Sequence, residues 1–205
     1  MEVKLILATP EHHIGECAKI CYGTKSIEDG GKDITSTLVH QHKHLASLRF
    51  AYMTVNVTGI SVACQNQIVR SKHLDFMVQS KRYVNPDKGG FEFIMPEGLS
   101  LDLQRIMQYQ FDDAIDTYKR LIADGVKKED ARAILPANTS TAMNITGNLQ
   151  GWMDFFKLRL NSHAQTEVRK VAIAIWALAK ENYPQVFTDE LFIKLTEEYN
   201  ESTRR

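Results

Sequence analysis

Residues 70–83 read RSKHLDFMVQSKRY and set two basic clusters on either side of an apolar centre that favours extended structure. Arg70 and Lys72 lead, Phe76 to Val84 reads as extended, and Ser80 and Arg82 close the stretch. Side chains two apart on a strand share a face, so a hydroxyl and a guanidinium would point together and could grip one anion. Arginine suits phosphate because its planar fork donates two parallel hydrogen bonds and stays charged. The competing reading of Ser80-Lys81-Arg82 is a solvated strand edge. The next residues, Asn85-Pro86-Asp87-Lys88-Gly89-Gly90, are a strong turn signal.

Upstream of this stretch, Val3 to Ala8 reads as an opening strand, and Ile14 to Ile20 as a helix ended at Cys21-Tyr22-Gly23-Thr24. Lys25 to Asp33 is polar and reads as a loop, and Phe50 to Val57 as a strand that stops at Gly59. Ser61 is placed to cap a short helix running to Ser71. Downstream, a long helix is predicted from about Leu99 to Ala123 with Asp124-Gly125 as its stop, then a second over Lys128 to Leu135 ended by Pro136. Thr139 to Thr146 reads as a strand turned by Gly147-Asn148, and Leu149 to Leu160 as a helix. Ser162-His163-Ala164-Gln165 fits a capping box, which starts a further helix at His163 and runs it to about Asn182. The tail from Thr188 to Tyr199 is amphipathic, and residues 200–205 are expected to fray.

A chain of 205 residues is long enough for one well-buried core and short for two, so a single domain over 1–205 is expected. Apolar residues at 43% and charged residues at 24% are ordinary globular values. The 25 basic and 25 acidic residues cancel, so no overall field draws the protein to nucleic acid or anionic lipid, and any anion must be held by a local cluster. The N-terminal apolar run is too short for a signal peptide or a membrane span, which points to the cytoplasm. Cys17, Cys21 and Cys64 lack metal-site or disulfide spacing, and Cys17 and Cys21 read as small core residues of one helix.

Three further features bear on chemistry. Arg132, in EDARAILP, lies on a short helix where a guanidinium usually faces water or pairs with an acid. Arg159, in FFKLRLNSHAQ, follows an apolar helix and precedes a capped one, whose N-terminus stabilises electron-rich groups. His40, His42 and His44 alternate as along one strand face, but no carboxylate or thiol completes a metal site, so none is expected. Trp152, Phe155 and Phe156 read as core or subunit interface.

The 70–83 stretch resembles RHRxxSxNExSxRY, the signature of the flavin-dependent thymidylate synthases, with Arg70, Ser80, Arg82 and Tyr83 matching. The likeness continues in order along the chain. VKLILATPE and AKICYGT are similar to that family's opening, and His44 sits where its GHxSxLEH segment begins. SVACQNQIVR, DARAILP and LRLNSHAQTEVRKVA are similar to its SRAxxxQLVR, xARxxLP and LRxxxxAQxEIRxxA.

The resemblance implies an α+β (ThyX-like) fold, a small twisted, mostly antiparallel sheet flanked by helices, with a long central helix. It implies a homotetramer whose active sites draw on several chains, and reductive methylation of dUMP using methylene-tetrahydrofolate, FAD and NADPH. By the same resemblance Gln67, Ser80, Arg82, Arg132 and Arg159 contact the nucleotide. Ser80 and Arg82 would hold its phosphate, Arg132 would assist from a neighbouring subunit, and Arg159 would polarise the uracil edge as the catalytic group. Arg70, Lys72, Asn148, Asp154 and His163 would serve the cofactor. Five signature positions differ, as Ser71, Lys72, Asp75, Met77 and Val78, and so do Arg49, Phe50 and Asp154 elsewhere. Most of these lie on the flavin and folate side, so the alternative is a paralogue that keeps the nucleotide site and either hydroxymethylates the base or is non-catalytic.

Overall fold

The structure, a computed structural model, describes residues 1–23, 34–83 and 91–197. The loop expected over Lys25 to Asp33, the turn at 85–90 and the chain end lie outside the described residues. Four strands, β1 (Glu2–Ala8), β2 (Tyr52–Ser61), β3 (Leu74–Val78) and β4 (Ser140–Asn148), form one antiparallel sheet in the order β1-β2-β4-β3. Alternation decides its faces. Met53, Val55 and Val57 of β2 and Met143 and Ile145 of β4 are buried on one side. On the other, register brings Thr54 opposite Thr146 and Asn56 opposite Asn144, and each pair is hydrogen-bonded, at 2.7 and 2.8 Å.

The apolar face is covered by α5 (Leu149–Arg159) and α6 (Thr166–Asn182), which contribute Trp152, Phe155, Phe156, Ile175 and Trp176 to the core. Their polar atoms are not wasted: the Trp152 indole N–H donates to the Met53 oxygen at 3.0 Å, and the Tyr183 hydroxyl to the Tyr52 oxygen at 2.8 Å. This is the α+β arrangement expected, and the aromatic trio of α5 is core. α1 (His12–Lys19), α2 (Val62–Ile68) and α7 (Asp189–Glu197) complete the periphery.

The long helix α3 runs over Leu101–Ala123, starting at Ser100, whose hydroxyl accepts from the Leu103 amide, and ending before Gly125 at φ 86°. It buries Phe111 and Tyr118 against Phe93 and Phe91, with ring centroids 5.1 and 5.4 Å apart. Leu101, Leu103, Ile106 and Tyr109 are left at the surface. Beyond it α4 (Lys128–Ala131) tightens into a 3-10 turn over Arg132–Ile134. No helix among the described residues is long and apolar enough to cross a membrane.

Several local expectations are overturned, each by a tertiary partner. β2 does not stop at Gly59 but runs through it to Ser61, because Gly59 at φ 67° absorbs a bulge where the pairing with β4 slips between Thr58 and Ile60. Gly147 and Asn148 belong to β4 rather than to a turn. Gly147 packs closely there: a Cβ would fall 2.4 Å from the end of the Leu74 side chain and 3.0 Å from the His73 backbone oxygen. Cys17 is half-buried and Cys21 exposed, so neither is a core residue. His40, His42 and His44 lie on a π-helical turn (Thr37–Gln41) and the bend after it, not on a strand, and the His40 ring N–H donates to the Gln185 oxygen at 2.7 Å.

Candidate functional site

Helix α2 is pinned at its start by two side chains. The Ser61 hydroxyl accepts from the Cys64 amide at 2.9 Å, while Glu167 of α6 accepts from the Ser61 amide at 2.7 Å and the Ser61 hydroxyl at 2.6 Å. A carboxylate at a helix N-terminus is favoured by the free amides there. This clamp fixes Gln67 near the far end of α2, where Arg159, the last residue of α5, donates from Nη2 to the Gln67 backbone oxygen at 2.6 Å. The Gln67 side-chain amide in turn donates to Gln165 Oε1 at 2.6 Å.

The Arg159 Nε is buried and has no hydrogen-bond partner among the described residues. Burial pushes the guanidinium's pKa down, the nearby Arg70 charge adds to that, and the Cys64 thiol opposes it. Arginine remains charged even so. The result is a partly desolvated cation with a spare N–H, suited to an electron-rich carbonyl or ring-nitrogen edge.

Arg70 and Lys72 open a second region, a cleft of about 430 Å³ walled by the 70–73 loop and the Asp154–Leu158 part of α5. Its polar lining is mainly cationic, Arg70, Lys72 and Lys157 against the single carboxylate of Asp154. The Ser71 hydroxyl, buried in this wall, has no hydrogen-bond partner among the described residues. Asp154 pairs with Lys157 at 3.4 Å and accepts from the Gln150 amide at 3.2 Å. The loop is seated by close packing: a Cβ on Gly151 would fall 2.4 Å from the His73 backbone oxygen. Three cations and an orphaned hydroxyl fit a phosphate-bearing cofactor, with the Asp154 carboxylate the one discordant charge.

Ser80 and Arg82 do not lie on one strand face as expected. β3 ends at Val78, and the chain turns at Lys81 to Tyr83, with the Tyr83 amide donating to the Ser80 oxygen at 3.1 Å. Within the turn the Arg82 backbone amide donates to the Ser80 hydroxyl at 3.3 Å. Between them stands Lys81, whose half-buried amine donates to the Ser140 oxygen and lies 5.2 Å from the Phe91 ring centroid. Burial pulls its pKa down to about 8.

Arg82 pairs with Glu129 of α4 at 2.6 Å, and Arg132 Nε donates to the Glu129 backbone oxygen at 3.1 Å. Arg82 and Arg132 thus share Glu129 as a partner, one through its carboxylate and the other through its backbone oxygen. The five residues of β3 separate Lys72 from Ser80 by a strand of roughly 15 Å.

Asn148 is the N-cap of α5, its Oδ1 accepting from the Gly151 amide at 2.9 Å. His163 lies exposed in the turn between α5 and α6. The capping box expected over Ser162 to Gln165 does not form. Asn161 Oδ1 takes the His163 and Ala164 amides at 2.9 and 3.0 Å, and α6 starts at Thr166 with no side-chain cap from Gln165. Gln165 is released to hold Gln67 instead. Sequence reasoning placed neither Gln165 nor Glu129 nor Lys157 at these sites. Only the spacing of Glu129, three before Arg132, carried any local signal.

The scaffold is α+β and carries basic groups in two places, Arg159 on Gln67 with Arg70 and Lys72 at the neighbouring cleft, and Arg82 and Arg132 on Glu129. The profile of the thymidylate synthase complementing protein family matches residues 4–185. A flavin-dependent thymidylate synthase of Geobacter sulfurreducens is 31% identical over 200 residues, covering 92% of this chain and 86% of that protein. Proteins of the same name from Sulfurisphaera tokodaii and Mycobacterium tuberculosis are 30% and 31% identical, each over 71% of this chain and over 57% and 64% of their own lengths. The chain belongs to the thymidylate synthase complementing protein family.

Proposed function

We propose that the chain is a flavin-dependent thymidylate synthase, converting dUMP to dTMP with methylene-tetrahydrofolate, FAD and NADPH. The observation that carries this reading is the Arg159 guanidinium, anchored on Gln67, partly desolvated and left with a buried unpartnered Nε. In it Arg159 is the catalytic group that polarises the uracil edge, Gln67 orients the nucleotide, and Ser80, Arg82 and Arg132 take its phosphate. FAD, when bound, would supply the redox chemistry of methylene transfer and hydride delivery. Arg70 and Lys72 would hold its phosphates, with Asn148, Asp154 and His163 toward the rest of it. No cysteine is assigned a role, and burial pushes the Cys64 thiol far above its ordinary range, which removes it as a nucleophile.

The exposed apolar side chains of α3 support a homotetramer whose sites are completed by neighbouring chains, Arg132 assisting from a neighbouring subunit. The reading is tested by loading the purified protein with FAD and analysing by mass the product from dUMP, methylene-tetrahydrofolate and NADPH; dTMP is the expected product.

A second reading rests on Met77 and Val78, which are 78% and 37% exposed and stand where the signature has Asn and Glu. Thioether and isopropyl groups supply no hydrogen bonds to position a cofactor. A hydroxymethylated product, or dUMP binding without turnover, would favour that alternative.

A further inference from the structure

The ion pair between Arg82 and Glu129 joins residues far apart in sequence, at 2.6 Å. It is half-exposed, with Arg82 and Glu129 side chains 52% and 39% accessible. Such a pair contributes little to folding. What it does instead is occupy a guanidinium. The nitrogen Nη2 that faces the Glu129 carboxylate is one of the donors an incoming phosphate would use, and a fork engaged by one acid cannot present its full donor set to another.

The same residue touches the second arginine by a different atom. Arg132 binds the Glu129 backbone oxygen through Nε, a bond that fixes the side chain and does not engage its two terminal nitrogens. Ser80 stands beside Arg82 through the bond to its amide. Of the three groups read as phosphate ligands, Arg82 is the one whose guanidinium the carboxylate itself holds among the described residues.

From this we infer that Glu129 is an internal competitor for the phosphate subsite: its carboxylate holds the Arg82 fork and must be displaced by the phosphate of the nucleotide, so it sets affinity and selects for a phosphorylated ligand. The inference rests on the reading of Ser80, Arg82 and Arg132 as phosphate ligands. A phosphate near its dianionic form carries more charge and three acceptor oxygens, so it outcompetes a single carboxylate for arginine. A carboxylate left in place would repel it. A nucleoside without phosphate gains nothing by displacing Glu129.

The test is calorimetric titration of the full-length protein with dUMP and with deoxyuridine, for the wild type and for Glu129→Gln, Glu129→Ala and Arg82→Ala. Releasing a surface ion pair corresponds to a gain of about fivefold at most, so both Glu129 variants should bind dUMP up to about five times more tightly. Their affinity for deoxyuridine should not change. Unchanged or weaker dUMP binding in both Glu129 variants, with binding lost in Arg82→Ala, overturns the role of Glu129 and leaves the phosphate subsite standing. An equal gain for both ligands also overturns it, because the effect would then lie on the base side. If Arg82→Ala binds dUMP as the wild type does, the phosphate subsite itself is misread and the inference falls with it.

Discussion

Arg159 at the end of α5 and Gln67 near the end of α2 are joined across 92 residues of sequence by one charged hydrogen bond of 2.6 Å, from Nη2 to a backbone oxygen. The bond spends one donor on the scaffold and aims the rest. Lysine in its place would keep a charge but not the fork. Arg159→Lys is therefore expected to weaken dUMP binding by about ten- to a hundredfold, one charged hydrogen bond being worth about 1.5–3 kcal/mol. Titration with dUMP in the absence of FAD checks this, and an unchanged affinity would remove Arg159 from the nucleotide site.

Gly151 is where α5 meets the 70–73 loop. A Cβ there would lie 2.4 Å from the His73 oxygen, a backbone atom that cannot swing aside. Gly151→Ala should destabilise the protein by about 1–3 kcal/mol, as overpacking does, and loosen FAD binding by displacing Arg70 and Lys72. Urea unfolding followed by flavin titration measures both; full stability with full FAD affinity would contradict the packing described.

Asp154 is the one acid among the cations of the 430 Å³ cleft. Asp154→Asn removes its charge at nearly constant volume and gives up only a half-exposed i,i+3 pair with Lys157, worth a few tenths of a kcal/mol. FAD should bind more tightly by a few-fold, since a unit charge a few ångströms from a phosphate costs about 1 kcal/mol even in water. Fluorescence quenching on FAD addition reads the change, and weaker binding would show that the carboxylate accepts from the cofactor instead of repelling it.

Lys81 gives the turn that presents Ser80 and Arg82 a signature in alkali. Its pKa falls from 10.5 to about 8 on burial, so between those values the unfolded chain holds a proton that the folded one has lost. Stability should accordingly rise as pH climbs from about 8 to 10.5. Lys81→Met, which keeps the stem over Phe91 and removes the titrating group, should flatten that rise. Urea midpoints across the range settle it, and an identical slope in the variant would assign the titration elsewhere.

The ends of helices and strands show how far local reading reaches. Ser61 and Ser100 cap helices as their sequence context requires, because an N-cap bond closes within three residues. Gly59 and Ser162 were misread for the opposite reason. A bulge needs the opposing strand, and the amides of the turn before α6 go to Asn161 instead of Ser162. Gln165 was read as a cap and is drawn away by Gln67, which lies 98 residues distant.

By itself the chain of residues determined the α+β class, the family and which arginines were worth watching, since periodicity and an ordered series of short motifs are written locally. The tertiary structure alone decided that Arg159 rests on Gln67, that Lys81 reaches back to Ser140 from the turn after β3, and that Glu129 pairs with Arg82. Each of these is a contact between residues tens of positions apart, and its distance and burial exist only once the sheet has brought the two ends of the contact together.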